Sequence, residues 1–438
     1  LIIIRCSSTK RATKHIRVNQ PSTFAKRLFP MDIRILIDKL GPITNSEITL
    51  KPFMVFTGES GLGKSYTAFL VYNLTSALTA IRMQEFVEQK VKGNKLELDV
   101  KFKDFRLWLN NNTSAYLGYL LGYSDFSCHV NYVFDLDDDM PLHVKCLDDD
   151  ESTSFSRCSM NGKTEVFPMH LADQTLLMSF TLNKYLAEKI FNQPYFFQLL
   201  LPPARAAFIG SNTTTPIGMY REFLRQFDDL KTPSRVASPD IQLYSNYIAR
   251  LVDGKIVVEN GNIYIVFESG AKIPVSAAAS SVKELMPFLL MLQNGKSLYN
   301  SMLFEEPEAH VHPKKQSLVM DMLARCINNG MMIQMTTHSD YMLNRMNQLL
   351  MLGEIRKVSP QTFDKFCEDH HHNKKLYLDR SKVGSCYFKR EGEKVTIEEQ
   401  QPTVGLPLTT FDETVRQQID LSATLDELAE SIGIDINM

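Results

Sequence analysis

Eight consecutive residues, Gly58-Glu59-Ser60-Gly61-Leu62-Gly63-Lys64-Ser65, follow the pattern G-x-x-x-x-G-K-S, which holds the chain to a narrow range of folds. The pattern wraps a triphosphate in backbone N–H groups, and side chains at the glycine positions would block that close approach. Lys64 supplies positive charge, and Ser65 offers a hydroxyl to Mg²⁺ at the start of a helix whose dipole favours phosphate. Such a loop needs a buried strand entering it and a helix leaving it. Phe53-Met54-Val55-Phe56-Thr57 reads as that strand, and Tyr66 to Leu78 carries helical periodicity. A Gly-rich surface turn is the competing reading, and the order strand, loop, Lys-Ser, helix goes against it.

At 438 residues, 44% hydrophobic and 22% charged, the chain is long enough for two or three lobes. No run approaches an apolar membrane span, so no membrane association is expected. Seven cysteines are scattered without C-x-x-C pairs, which suits a reducing compartment and thiols rather than disulfides or structural zinc. A cytoplasmic location is the expectation.

The net charge of −2 is unevenly laid out. Residues 1–30 carry Arg5, Lys10, Arg11, Lys14, Arg17, Lys26 and Arg27 and no acid, which leaves the remainder acidic. That segment opens Leu-Ile-Ile-Ile rather than with Met and shows no period after residue 4. It reads as a basic extension, disordered or an artefact of upstream translation, with Met31 as the start. A basic nucleic-acid arm or an organellar presequence is the alternative.

From Met31 the pattern runs strand (Ile33, Ile35 and Ile37 alternating), Gly41-Pro42 turn, strand (Glu47 to Leu50), strand, phosphate loop. This opening resembles the N-terminus of the ABC-type ATPases of the RecF/SMC and OLD-like group. In the second half, Ser301-Met302-Leu303-Phe304-Glu305-Glu306-Pro307-Glu308-Ala309-His310-Val311-His312-Pro313 is an apolar strand ending in paired acids. It is similar to the Walker B strand and following loop of OLD-like ATPases. A strand tip of this kind delivers one carboxylate to Mg²⁺ and the next to the attacking water. The resemblance implies Glu305 on the metal side, where most ABC-type members have Asp, and Glu306 as the hydrolytic base. Pro313 reads as the first residue of a helix, and Met331 to Thr336 as a further buried strand leading to Thr337-His338-Ser339. By resemblance, His338 is the switch histidine that contacts the γ-phosphate.

The ABC class completes its site with a signature loop from the other subunit, placed before the paired acids. The candidate is Ala279-Ser280-Ser281-Val282-Lys283-Glu284, with Ser280 and Ser281 implied as nucleotide contacts in trans. Val282 stands where the family has Gly, and Gly permits a backbone approach that Val does not. An ordinary Ser N-cap with Glu284 closing a capping box is the alternative.

Between the halves, residues 98–125 mix Phe102, Phe105, Trp108, Leu109, Tyr116 and Leu117 with Lys101, Lys103 and Arg106. The apolar face of a helical lobe is favoured over a stacking surface for nucleic acid. Two acidic clusters, Asp135 with Asp137-Asp138-Asp139 and Asp148-Asp149-Asp150-Glu151, lie around a strand-like Pro141 to Leu147. They lack EF-hand spacing and read as solvated hairpin loops. Leu201-Pro202-Pro203-Ala204-Arg205 resembles the Pro-x-x-Arg element of OLD-like ATPases, which would bring Arg205 to phosphate or to the lobe junction. OLD nucleases carry a TOPRIM domain after the switch histidine, and no Asp-x-Asp ends an apolar strand after His338 here. Asp369-His370-His371-His372-Asn373 reads as a surface loop before a strand Lys375 to Asp379, and Phe411 to Ile432 as an acidic amphipathic helix.

The expected fold is α/β: an ABC-type P-loop ATPase head, 31–80 with 255–400, split by an inserted, mostly helical lobe with a small hairpin, 81–254, and followed by a helical tail, 401–438. The resemblance implies ATP and Mg²⁺ as cofactors, a homodimer or assembly of dimers around ATP, and ATP hydrolysis. The implied role is in anti-phage defence or DNA surveillance, with an effector such as a nuclease on another chain, as in the Septu and PARIS ATPase subunits. Double-stranded DNA is an open partner. A RecF/SMC-like repair ATPase and a slow ATP-gated scaffold holding a toxin are the alternatives.

Overall fold

The computed structural model describes residues 32–91, 97–147, 155–167, 173–194, 196–210, 215–232, 240–294, 300–401, 405–407 and 409–431. The segment 1–31 and the second acidic cluster lie outside them.

The chain enters on β1 (Ile33–Leu40) and β2 (Ile43–Thr49), antiparallel across the Gly41-Pro42 turn. The three isoleucines of β1 are buried and their neighbours are not, as a half-covered strand requires. β3 (Phe53–Gly58) is buried along its whole length, the pattern of a strand covered on both faces, and α1 (Lys64–Ala77) leaves the loop after it.

The next stretch holds α2 (Ala80–Lys90), β4 (Glu97–Lys101), α3 (Phe102–Leu121), β5 (Cys128–Phe134), β6 (Pro141–Leu147), β7 (Ser156–Met160), β8 (Lys163–Phe167), α4 (Gln174–Phe191) and β9 (Gln198–Leu201). Its strands exceed a small hairpin. β4, β6, β7 and β8 form a four-stranded antiparallel sheet, while β5 and β9 become the two edges of the main sheet. The six apolar residues singled out between 102 and 117 are all buried, in one cluster with α1 and β1, so their rings are core and offer no stacking face. The acids of the first cluster are not merely solvated. Arg106 donates from Nε and Nη2 to the Asp138 carboxylate at 2.9 and 2.6 Å, and Lys101 pairs with Asp139 at 2.7 Å.

There follow α5 (Gly218–Leu230), α6 (Ile241–Val252), a meander of β10 (Gly254–Glu259), β11 (Asn262–Phe267) and β12 (Lys272–Pro274), then α7 (Ser280–Gln293) and β13 (Ser301–Glu305). α8 (Pro313–Asn328), β14 (Met332–Thr336), α9 (Asp340–Val358), α10 (Pro360–Asp369), β15 (Val383–Glu391), β16 (Lys394–Gln400) and α11 (Thr409–Ser431) complete the described chain. Residues 375–379 do not form the expected strand. The Leu378 amide donates to Leu349 O on α9 at 2.9 Å, and the Asn328 side chain on α8 donates to Tyr377 O at 2.7 Å, so helices take the backbone groups a sheet would need.

The main sheet has nine strands in the order β5-β1-β2-β16-β15-β3-β14-β13-β9, and β15, β3, β14, β13 and β9 run parallel. Alternate residues of β3 and β13 feed opposite cores. Met54, Phe56 and Leu303 face the layer of α1 to α4, while Phe53, Val55, Met302 and Phe304 face that of α5 to α9. Three adjacent parallel strands, β3, β14 and β13, therefore end along one carboxyl edge, the side on which open α/β sheets bind ligands.

Candidate functional site

The loop after β3 takes left-handed backbone at Gly58 (φ 126°), Gly61 (φ 77°) and Gly63 (φ 94°). A Cβ at Gly58 would stand 2.6 Å from Phe388 O of β15, and one at Gly63 would stand 2.7 Å from the Ile43 side chain. Those two positions are glycine because of backbone conformation and of neighbours already in place. The Lys64 ammonium turns back on the loop and donates to Gly58 O at 2.9 Å and Glu59 O at 2.6 Å. Burial lowers its pKa to about 8, against the charges of Glu306, Glu308, Glu305 and Glu59. Lys64 is thus in the field of three carboxylates at the tip of β13 and just beyond it.

Ser65 donates its hydroxyl to the Glu305 carboxylate, joining the first turn of α1 to the tip of β13. Burial raises the Glu305 pKa to about 7, with the Glu306 charge adding to it and Ser65, Arg205 and Lys64 opposing it. The other oxygen, Oε1, is buried without a hydrogen-bond partner. A serine hydroxyl beside an unsatisfied carboxylate oxygen is a hard-oxygen donor pair that fits Mg²⁺, which takes few protein ligands and completes its shell with phosphate and water. No group of three or more His, Cys, Asp or Glu side chains that would cage a metal occurs among the described residues.

Glu306 follows at φ +44°, unusual for a non-glycine residue, and its amide donates to Thr336 O at 3.1 Å and Thr336 Oγ1 at 3.2 Å. The segment after β14 is tied to both neighbours. The Thr337 amide donates to Phe56 O at 3.1 Å, and Glu308 accepts from Thr337 Oγ1 at 2.9 Å and from the His338 amide at 2.6 Å. Burial, with the Lys64 charge, holds the His338 pKa below its ordinary value against the charge of Glu306, a shift that favours the neutral imidazole. Glu308 is the residue that sequence reasoning missed. Its signal was a third acid, two places after the pair.

Ser280 and Ser281 open α7, Ser280 exposed and Ser281 half-buried, and among the described residues no hydrogen bond joins either to residues 58–65. The capping-box alternative does not form. Ala279 is the cap residue, and Glu284 is buried, facing Arg205 at 3.3 Å. Arg205 itself is fully buried and donates to Glu305 O at 2.8 Å, behind the first of the paired acids. His370 and His372 pack on Phe366, and His372 is hydrogen-bonded to Leu376 O at 2.8 Å, in the turn that ends α10.

Because the folded protein holds a proton on Glu305 that the unfolded chain has released, stability falls as pH rises from the ordinary carboxylate value of 4.5 to about 7. Glu305→Gln removes that dependence. Urea unfolding without metal or nucleotide is expected to show wild type losing on the order of 3 kcal/mol relative to the variant between pH 4.5 and 8. A pH-independent difference would contradict the assignment.

Residues 218–343 match the family described as AAA ATPase domain, a span that contains the paired acids and His338. No curated protein matches the chain. Similar solved structures include an SMC head bound to the C-winged helix domain of ScpA (11% identity, 85% of this chain and 97% of that one, TM-score 0.38). Others are the SMC head domain from Thermotoga maritima (10% identity, 84% and 98%, TM-score 0.33) and an SMC head with an extended coiled coil bound to the C-terminal domain of ScpA, derived from Pyrococcus furiosus (10%, 89% and 98%, TM-score 0.37). At this distance the likeness to solved structures carries no functional weight. Site and family match together describe an ATPase-type P-loop domain on a mixed α/β sheet.

Proposed function

We propose that the chain binds ATP with Mg²⁺, dimerises around it and hydrolyses it, as the ATPase subunit of a bacterial anti-phage defence or DNA-surveillance complex whose effector, such as a nuclease, lies on another chain. The observation that carries the ATPase reading is the convergence of Lys64, Ser65, Glu305, Glu306 and His338 at the carboxyl edge of three adjacent strands. The loop amides from Gly58 to Ser65 wrap the phosphates, and Lys64 exchanges its two carbonyl acceptors for phosphate oxygens. Mg²⁺, held by Ser65 and Glu305, would neutralise charge on the β- and γ-phosphates. Glu306 accepts the proton of the water that attacks the γ-phosphorus, the bond to the β–γ bridging oxygen breaks, and ADP and phosphate leave. His338, neutral, offers a hydrogen bond to the γ-phosphate. Ser280 and Ser281 complete the partner's site from the start of α7, where Ser280 is exposed and Ser281 half-buried.

Val282 favours a second reading, a slow ATP-gated scaffold, because its side chain opposes close backbone approach across the dimer. Sedimentation of Glu306→Gln with Mg-ATP is expected to show dimers, and Lys64→Ala monomers, under the same conditions. Equal sedimentation of the two would count against ATP-gated dimerisation. Wild-type turnover stimulated by duplex DNA would move the assignment to a DNA-handling ATPase. Slow turnover indifferent to DNA would support a regulator whose ligand is another protein.

A further inference from the structure

Arg205 is the largest fully buried side chain described, and besides its own loop it holds the helix that opens with the signature candidate and the tip that carries the paired acids. Its Nη1 donates to Glu305 O at 2.8 Å and to Pro202 O at 2.9 Å, and Nη2 lies 3.5 Å from Glu306 O. Its Nε donates to Glu284 O at 2.7 Å, in α7. The Glu284 carboxylate lies 3.3 Å from the guanidinium and accepts from the Ala206 amide at 3.3 Å, and the guanidinium sits 4.7 Å from the Phe304 ring centre. The backbone on either side is held in uncommon left-handed geometry, Ala204 at φ +53° and Glu306 at φ +44°. Strain of this kind persists only where the surroundings over-determine it.

A planar fork of fixed donors suits this arrangement, since the carbonyls it grips come from three places in the chain, Pro202, Glu284 and the Glu305-Glu306 tip. Glu284 lies four residues after Ser280 and three after Ser281, one turn further along the same side of α7. We infer that Arg205 is a positioning residue which couples the two nucleotide sites of a dimer, passing the setting of the Ser280–Ser281 turn, engaged on the partner's nucleotide, to the backbone of Glu305 and Glu306 in its own site. The inference rests on the ATPase-dimer reading above. It adds a contiguous physical link between the trans contact and the hydrolytic carboxylate.

The test compares wild type, Arg205→Lys and Glu284→Gln, with Lys64→Ala as the blank. ATP turnover is measured against ATP concentration, binding of a fluorescent ATP analogue at equilibrium, and folding by thermal melting. Lysine keeps the charge and loses the fork. Arg205→Lys is expected to lose about tenfold or more in kcat, to bind the analogue within about threefold of wild type, and to lose the cooperative dependence on ATP that wild type shows. Glu284→Gln keeps an acceptor for the Ala206 amide and is expected to lose cooperativity with a smaller loss in kcat, and it decides the question if Arg205→Lys does not fold. Wild-type kcat and cooperativity in the folded variants would overturn the coupling role. So would parallel loss of binding, turnover and melting temperature, which marks a purely structural residue, and so would a wild type without cooperativity. Wild-type turnover at the level of the blank would instead overturn the ATPase reading, and the coupling role with it.

Discussion

Glu306→Gln is expected to lower steady-state ATP turnover about 10²- to 10³-fold, the usual range for loss of a positioned general base. Nucleotide binding should be retained. The residue is placed by its backbone, since its amide is bonded to Thr336 and the segment behind it is gripped by Arg205, so an isosteric amide leaves the geometry in place. What the amide cannot do is take a proton from water. The change also removes a negative charge facing Lys64, which favours phosphate binding rather than opposing it. The variant should therefore hold ATP and turn it over slowly in the same preparation. Wild-type turnover would remove Glu306 from the base role.

The largest stability effect away from the site is expected at Gly353. In α9 this residue lies against the extended segment that runs from α10 to β15, and a Cβ added to it would meet Leu378 O at 1.8 Å. The obstacle is backbone, so no rotamer change relieves it. Leu378 is fully buried, and its amide is bonded to Leu349 O at 2.9 Å, so retreat of the segment would break a buried hydrogen bond and open the core beside β15. Ala is the better helix former by about 1 kcal/mol, which the clash outweighs. Gly353→Ala should cost about 3–5 kcal/mol in urea unfolding. A variant as stable as wild type would mean that the α9 contact yields far more easily than its geometry implies.

What could be read in the amino-acid sequence was local and periodic. The strand Phe53–Thr57, the loop and the helix after it follow from an apolar run, three glycines and a 3.6 period, and all three are present. The isoleucine alternation of β1 and the helix start at Pro313 are of the same kind. Misread elements depended on partners distant in sequence. Residues 375–379 look like a strand but spend their hydrogen bonds on α8 and α9. The Asp135–Asp139 acids lie on a largely exposed loop as expected, but the strands it joins, β5 and β6, belong to different sheets and form no hairpin. The small hairpin proved to be a four-stranded sheet, because β4 and β8 carry too little apolar pattern to announce pairing alone.

In the site, the phosphate loop and the acid pair were separately legible, but not the Ser65–Glu305 hydrogen bond that joins them. Glu284 satisfied a capping pattern, and only the burial of Arg205 shows that it serves another purpose. Glu308 had no spacing rule to mark it, since what it holds, the Thr337 hydroxyl and the His338 amide, lies just after β14 and about thirty residues on.

The central claim is that Lys64, Ser65, Glu305 and Glu306 form one ATP-hydrolysing site, and steady-state turnover of purified wild type against Lys64→Ala tests it most directly. The account predicts Mg²⁺-dependent phosphate release by wild type and none above background by the variant. Release that is equal in the two proteins, or absent from both, would contradict it.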